Sequence, residues 1–302
     1  MASPSPVKAC SKVWLVTACS SGFGRAIVLA ALARGYRVIA TARDVRTLED
    51  LVDKGARALA LDVTASDAAF EAVVAQALRF YGSIDVVVNN AALLLAGAIE
   101  ECSETEVYEQ FTTNVFGVFR MVRAVLPHMR AKRSGVVAIM GSACGWTGMA
   151  TMGVYGSTKF ALAGLALALR AEVQPFNIDV TIIEPGSFRT AILSKGLVVP
   201  KRSIPDYVPL LARLRRRLSR INAATPLAKQ PGDPTKAAHV IVDVLTKTGR
   251  CAGKQTLPKR LLLGTDAVAL GAAELRERRH EWEEWAALAS TTDHDDVVAS
   301  RL

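Results

Sequence analysis

A stretch near the amino terminus decides the fold: Val13-Trp14-Leu15-Val16-Thr17-Ala18-Cys19-Ser20-Ser21-Gly22-Phe23-Gly24. It begins as an apolar run, passes through a turn of small residues and enters a helical pattern that ends before Gly35. Small residues in such a turn let backbone N–H groups and the positive end of the helix approach a pyrophosphate. The stretch predicts a dinucleotide-binding unit, although an ordinary tight turn between strand and helix has the same pattern.

Beyond this unit, short apolar runs alternate with longer helical segments. The predicted strands span residues 13–17, 37–41, 58–62, 86–89, 136–140, 178–183 and 260–263, with helices between them and after the last. This alternation is typical of a parallel sheet covered by helices on both faces. We predict an α/β fold, a doubly wound parallel sheet of the Rossmann type.

A single domain is predicted over residues 13–288. Residues 1–12, rich in Pro and Ser, and residues 289–302 are expected to be loose tails. Residues 187–231 contain five prolines and lose the alternation, so we expect them to form a substrate lid over one end of the sheet.

The composition excludes several classes of protein. Of the 302 residues, 51% are hydrophobic and 22% charged, as in globular and not disordered chains. No apolar run is long enough to span a membrane. The net charge of +9 includes arginines between residues 213 and 220, where leucines at helical spacing indicate an amphipathic helix with a solvated basic face and not a nucleic-acid site.

The cysteines and the chain ends bear on location. Five widely spaced cysteines fit neither a disulfide framework nor a metal site, so a reducing compartment is expected. Residues 1–12 lack the apolar segment of a secretory signal. The ending Ser300-Arg301-Leu302 is a variant of the peroxisomal Ser-Lys-Leu signal, or an incidental ending. We predict a cytoplasmic protein, with a peroxisomal address as the alternative.

Polar motifs follow the predicted strands. Asp62-Val63 ends the third strand, Asn89-Asn90-Ala91-Ala92 ends the fourth, and Ser142 lies just past the fifth. Ligands bind at these carboxyl ends in open α/β sheets. Tyr155 and Lys159 open the next helix four residues apart, so they share a face and can act on adjacent atoms.

In these motifs the chain resembles the short-chain dehydrogenase/reductase family in its one-domain form. The family's glycine-rich turn, Asn-Asn-Ala, Ser with Tyr thirteen residues later, Tyr-x-x-x-Lys and Pro-Gly occur in order between Val13 and Thr190. Segments 204–207, 230–234 and 261–267 are similar to the branch of retinol- and hydroxysteroid-dehydrogenase-like enzymes. The resemblance implies a nicotinamide cofactor and an oxidoreductase.

The resemblance also implies residue roles. Tyr155 would exchange a proton with the substrate oxygen, and Ser142 would hydrogen-bond that oxygen. Lys159 would hold the nicotinamide ribose and favour the Tyr155 phenolate, while Asn114 would steady a water linking Lys159 to solvent. Besides Tyr155 and Lys159, the implied cofactor contacts are Thr17, Ser20, Ser21, Gly22, Phe23, Gly24, Arg43, Asp62, Val63, Asn89, Ala91, Pro185, Gly186, Phe188 and Thr190. No metal site is predicted.

The chain departs from the family pattern at Ala18, where the family has its first glycine, and at Ala92, where glycine is more common. If the turn requires a positive φ at residue 18, alanine adds strain on the order of 1 kcal/mol and weakens cofactor binding. Cys19 and Cys144 are interpreted as packing residues, since no His or second Cys accompanies them to make a nucleophile.

The end of the second strand predicts the cofactor. An acidic residue there bonds the ribose 2′-OH of NAD, whereas an Arg accommodates the 2′-phosphate of NADP. Ala42 occupies the acidic position and Arg43 follows it, which favours NADP(H) over NAD(H). Asp44 competes with this interpretation, because it is expected either to pair with Arg43 or to cap a helix beginning near Thr47.

We therefore predict an NADP(H)-dependent oxidoreductase that moves hydride between nicotinamide and a carbonyl/alcohol pair. A lipophilic small-molecule substrate is expected because the segments Leu93–Leu95, Trp146–Val154 and Leu193–Val199 are apolar. Two alternatives stay open: a non-redox cyclase, isomerase or dehydratase with Tyr155 as acid or base, and a non-catalytic cofactor-sensing protein. Assembly into a homo-oligomer is also left open.

Overall fold

The computed structural model describes residues 11–210, 212 and 230–294. The strands are β1 (Val13–Val16), β2 (Arg37–Ala42), β3 (Arg57–Ala60), β4 (Val86–Asn89), β5 (Leu94–Leu95), β6 (Gly135–Met140), β7 (Ile178–Pro185), β8 (Leu197–Val198) and β9 (Arg260–Leu263). The helices are α1 (Gly22–Ala33), α2 (Glu49–Asp53), α3 (Asp67–Tyr81), α4 (Glu104–Phe111), α5 (Gly117–Lys132), α6 (Gly153–Val173), α7 (Ile192–Lys195), α8 (Pro234–Thr246) and α9 (Thr265–Ala289).

Seven parallel strands form one sheet in the order β3-β2-β1-β4-β6-β7-β9, and β5 pairs with β8 in a separate ribbon. The chain moves outward from β1 to β3 and then returns to place β4 on the other side of β1. This reversal opens a crevice at the carboxyl ends of β1 and β4, where α/β sheets bind ligands. The predicted doubly wound Rossmann-type sheet is confirmed.

Alternate side chains of β1 enter two hydrophobic layers, one on each face of the sheet. Trp14 and Val16 pack with α1 and α8 on one face. Val13 and Leu15 pack with α3, α5 and α6 on the other. Because both faces of the central strands are buried, their side chains are apolar throughout, as the continuous runs in the sequence indicate.

The sequence between the fourth and fifth predicted strands predicts one long helix over residues 105–129, but the structure divides it. Five residues, Thr112–Phe116, form a π-helical segment between α4 and α5. The amide of Asn114 in this segment donates to Leu93 O (3.0 Å) and Thr158 Oγ1 (3.1 Å), two acceptors that are far from it along the chain. Helical periodicity does not reveal such a local change, because its cause is a contact with distant parts of the chain.

The predicted lid, residues 187–231, lies partly outside the described residues. Of the predicted basic helix only Ala212 is described, and of the amino-terminal tail only residues 11 and 12. The Ser300-Arg301-Leu302 ending lies outside the described residues. In its described part, two backbone N–H groups donate to glutamates: Lys201 N to Glu106 Oε1 (2.9 Å) and Ile204 N to Glu101 Oε1 (2.8 Å). These bonds connect residues 201–204 to α4 and to the 3₁₀ turn Ile99–Glu101 that precedes it. The domain limits and the lid's role stay predictions.

None of the helices in the described part of the chain is both long and apolar enough to cross a membrane.

Candidate active site

The turn after β1 is held from the neighbouring strand end. Asn90 donates its backbone N–H to Thr17 Oγ1 (2.8 Å) and its side-chain amide to Thr17 O (2.9 Å) and Ala18 O (3.2 Å). A Cβ on Gly24 would lie 2.5 Å from both Ala18 O and Asn90 Nδ2, so only glycine fits there. Asn90 was not predicted as a site residue, although its place beside Asn89 was a usable signal.

Residue 18 has the positive φ on which the predicted strain at this residue depends. Ala18 has φ +55° and Gly22 has φ +59°. An alanine with this φ is strained by about 1 kcal/mol relative to glycine. The expected strain at residue 18 is therefore present in the structure.

A groove with a cavity volume of about 380 Å³ runs along the crevice between β1 and β4. It is lined by these predicted cofactor residues: Ser20, Ser21, Gly22, Phe23, Arg43, Asp62, Val63, Ala91 and Thr190. It is also lined by residues not predicted to bind cofactor, among them Thr64, Thr113, Ile192, Lys195 and Gly196. Lys195 adds a second cation to the one expected from Arg43.

The other predicted cofactor residues, which include Tyr155 and Lys159, are not part of this lining. Thr17 and Asn89 are buried, and Asn89 donates to Ala138 O (3.4 Å) in the sheet. Pro185 ends β7, and Gly186 is so close to Asp266 that a Cβ would collide with the carboxylate. Phe188 packs against Phe23, with ring centroids 5.0 Å apart.

The groove fits a dinucleotide at its phosphate end. The amino terminus of α1 opens onto it, and within the described chain no side chain caps the first turn of that helix. The first N–H groups of a helix have no partner inside the helix and carry a partial positive charge. With Gly22 and Ala18 presenting almost no side chain, these N–H groups are accessible to phosphate oxygens.

Asp44 does not compete for Arg43. Its carboxylate accepts from Arg46 N (3.0 Å) and pairs with the Arg46 guanidinium (2.8 Å), so it caps the 3₁₀ turn Val45–Leu48. Hydrogen bonding by Arg46 lowers the pKa of Asp44. Arg43 is exposed at the groove, on the same side as Asp62.

Three of the four predicted catalytic residues meet where β6 ends and α6 begins. Tyr155 and Lys159 are buried in the first two turns of α6, with Lys159 Nζ 5.4 Å from the centre of the Tyr155 ring. Lys159 Nζ donates to Met140 O (2.8 Å), the last residue of β6. Ser142 follows β6, and its side chain hydrogen-bonds Tyr155.

Burial shifts the two titratable groups in opposite directions. It raises the pKa of Tyr155 well above its usual value, with Cys144 adding to the rise and the Ser142 hydrogen bond opposing it. It lowers the pKa of Lys159 to about 8, while Cys144 and Glu184 oppose the change. Before ligands bind, Tyr155 is therefore a neutral phenol at neutral pH.

Asn114 occupies a different position. Its Oδ1 accepts from Leu93 N (2.9 Å), and its amide bonds Leu93 O and Thr158 Oγ1. These hydrogen bonds connect the π-helical segment to Leu93, the residue before β5, and to α6. The water relay implied for Asn114 stays a prediction.

An apolar cluster lies beside Tyr155. Its buried members are Leu94, Ala96, Cys144 and Tyr155, and Met149, Met152, Ile192 and Leu197 pack against them. The cluster draws on the segments that the sequence predicted to be the substrate pocket. In the described residues, no group of three or more His, Cys, Asp or Glu side chains is placed to hold a metal ion. Burial raises the pKa of Cys19 to about 12, which fits a packing role.

Comparison with known proteins gives one consistent result. A family model described as short chain dehydrogenase matches residues 12–196. The chain is 35% identical over 285 residues to Oxidoreductase BOA17 of Botryotinia fuckeliana (strain B05.10), covering 91% of this chain and 97% of that protein. It is 33% identical over 250 residues to Retinol dehydrogenase 8 of Homo sapiens, covering 80% of each. A solved short-chain dehydrogenase from Streptomyces avermitilis superposes with a TM-score of 0.82 at 41% identity, covering 94% of this chain and 100% of that one.

The positive φ of residue 18 predicts that Ala18→Gly stabilises the protein. Relief of the strained conformation should raise the free energy of unfolding by about 1 kcal/mol in urea denaturation. The matched control is Ala92→Gly, because Ala92 does not have a positive φ. That variant should lose stability through the greater freedom of the unfolded chain. Equal shifts in the two variants would contradict the assignment.

The low pKa of Lys159 predicts a pH dependence. Between pH 8, its folded value, and about 10.4, its unfolded value, the unfolded chain binds more protons than the folded one. The contribution of Lys159 to the free energy of unfolding therefore rises with pH between these two values. We expect the free energy of unfolding of wild type to rise relative to Lys159→Met between pH 8 and 10. A constant difference would show that the pKa is not lowered.

Proposed function

The chain belongs to the short-chain dehydrogenase family, and on that premise we propose that it is an NADP(H)-dependent oxidoreductase interconverting a carbonyl and an alcohol of a lipophilic small molecule. The observation that carries the proposal is the meeting of Ser142, Tyr155 and Lys159. Their apolar surroundings reach a groove at an uncapped helix amino terminus through Ile192, which lines the groove and packs against the cluster that contains Tyr155.

Each of the three side chains has a distinct task in this proposal. Ser142 holds the substrate oxygen through its hydroxyl, next to the Tyr155 hydroxyl. In reduction, neutral Tyr155 donates its proton to that oxygen; in oxidation, it takes the proton back. Lys159, mostly charged at neutral pH, favours the phenolate that forms when the proton leaves. A bound nicotinamide cofactor supplies or accepts the hydride.

The residues that would hold the cofactor divide along the groove. The turn from Ser20 to Phe23 and the amino terminus of α1 would bind the pyrophosphate. Asp62 and Val63 would contact the adenine end, and Lys159 the nicotinamide ribose. Thr190 is next to Gly22, where a Cβ would be 3.5 Å from the threonine side chain.

The choice of NADP(H) depends on the end of β2. Ala42 offers no carboxylate to repel a 2′-phosphate, and Arg43 lies in the groove lining beside it. Asp44, the competing acidic residue, is engaged by Arg46. The guanidinium of Arg43 is therefore available to bind phosphate.

A lipophilic substrate fits the apolar cluster beside Tyr155. Side chains without charge, such as Leu94, Met149 and Met152, would exclude water from the reacting oxygen and bind apolar surface. The two flexible thioethers can adjust to more than one ligand shape.

We expect Tyr155→Phe to lower turnover by at least ~100-fold while cofactor affinity stays near wild type, because the change removes only the hydroxyl group that exchanges the proton. Steady-state kinetics and cofactor titration measure the two effects. Tyr36→Phe is the control, since Tyr36 packs on Trp14 away from the groove. Near-normal turnover in Tyr155→Phe would refute this mechanism.

Arg43→Ala should weaken NADPH binding selectively, by on the order of tenfold, which is the loss of a charge-assisted hydrogen bond. NADH binding should change little. Arg46→Ala is the matched control, because this nearby arginine is already paired with Asp44. Equal affinity of wild type for both cofactors, or equal loss in both variants, would count against the assignment.

The proposed function is tested with a panel of lipophilic ketones and aldehydes, following consumption of NADPH and identifying the product. Stoichiometric formation of the alcohol is the expected result. Conversion of a substrate without cofactor consumption would instead indicate the non-redox alternative.

A further inference from the structure

A fully buried carboxylate near the end of β7 does not exchange a proton in the transfer described above, although its charge opposes the lowering of the Lys159 pKa. Glu184 has no exposed surface. Its Oε1 is 2.5 Å from Arg260 Nη2, and its Oε2 accepts from Arg260 Nε (2.9 Å) and Trp146 Nε1 (2.8 Å). These hydrogen bonds connect the carboxylate to β9 and to the loop that follows Ser142.

Arg260 reinforces the same loop. Its Nη2 also donates to Gly145 O (2.9 Å), and its guanidinium lies 4.0 Å from the centre of the Trp146 ring. From the other side, Arg278 of α9 donates to Trp146 O. Residues 145 and 146 are thus held through two backbone carbonyls, an indole N–H and an aromatic face.

This loop begins at Ser142. The Ser142 hydroxyl accepts from Cys144 N (3.1 Å), and its carbonyl accepts from Gly145 N (2.9 Å). A Cβ on Gly145 would lie 3.1 Å from Lys159 O and 3.4 Å from Glu184 Oε1, so the loop is wedged between α6 and the carboxylate. A shift of residues 145–146 would move Ser142 relative to Tyr155.

We propose that Glu184 and Arg260 form a positioning pair that clamps residues 142–146 and thereby sets the place of Ser142 against Tyr155 and Lys159. The pair acts through Trp146 and Gly145 and does not touch the reacting atoms. A buried ion pair contributes little net stability, because desolvation of both charges offsets their attraction. The pair instead acts through geometry, because a bidentate guanidinium–carboxylate contact fixes the orientation of both side chains.

The inference uses the proposed function for its kinetic readout but has a second readout that needs neither cofactor nor substrate. Glu184→Gln keeps the shape of the side chain while placing an NH₂ group against the N–H donors of Arg260 and Trp146. Trp146→Phe removes one hydrogen bond and leaves the ion pair intact. The matched control is Asp243→Asn, which breaks another pair involving a buried carboxylate, Arg34 Nη2–Asp243 Oδ1 (2.6 Å), near the amino end of the sheet.

Hydrogen exchange of the backbone amides in 142–146 measures the clamp directly in cofactor-free protein. We expect exchange to quicken at least about tenfold in Glu184→Gln and to a smaller extent in Trp146→Phe, with no change in Asp243→Asn. If Glu184→Gln does not fold, Trp146→Phe alone decides. Exchange equal to wild type in the folded variants would overturn the proposal, whatever the panel of carbonyl compounds shows.

Kinetics with a substrate from that panel test the consequence. The turnover number should fall about tenfold in Glu184→Gln, because misplacement of a catalytic group by less than 1 Å is costly, while the KM for cofactor stays within about twofold. Asp243→Asn should keep the wild-type turnover number. A loss of turnover that is equal in both variants would mean general destabilisation and contradict a positioning role.

Discussion

The burial of β1 on both faces is the constraint on which the rest of the structure depends. β1 is hydrogen-bonded to β2 on one edge and β4 on the other, and apolar layers cover both faces. Unpaired polar groups in such an interior are costly. Polar side chains therefore lie at the carboxyl ends of the strands. There the reversal in strand order opens a crevice between β1 and β4, next to the candidate site.

Several buried or half-buried polar groups at this end have hydrogen-bond partners within the protein. Asn90 bonds the turn after β1, Asn114 bonds Leu93 and Thr158, and Lys159 bonds the last carbonyl of β6. Such groups are rigid, because any movement leaves a buried donor or acceptor without a partner. The candidate site is thus preorganised by the same hydrogen bonds that make its burial tolerable.

Features that depend only on residues close together in the chain were predictable from the sequence. Apolar runs located the strands of the sheet, and the spacing of Tyr155 and Lys159 placed both on one helix face. The division of the helix over 105–129 was not predictable, because the π-helical segment is set by bonds from Asn114 to residues far along the chain. The sequence predicts the final helix over residues 272–288, but in the structure it begins at Thr265, directly after Gly264, whose φ is +96°.

The sequence by itself determined the parallel α/β sheet, the family and the residue types at the carboxyl ends of its strands, because periodicity and short spacings are properties of neighbouring residues. Only the tertiary structure decided that Ala18 is strained, that Asp44 turns to Arg46 and leaves Arg43 at the groove, and that Glu184 and Arg260 grip the loop after Ser142. The last of these depends on a contact between strands distant in sequence, and the first two depend on local backbone conformation and on which neighbour a side chain meets. No pattern along the chain records which buried donor meets which acceptor across the sheet.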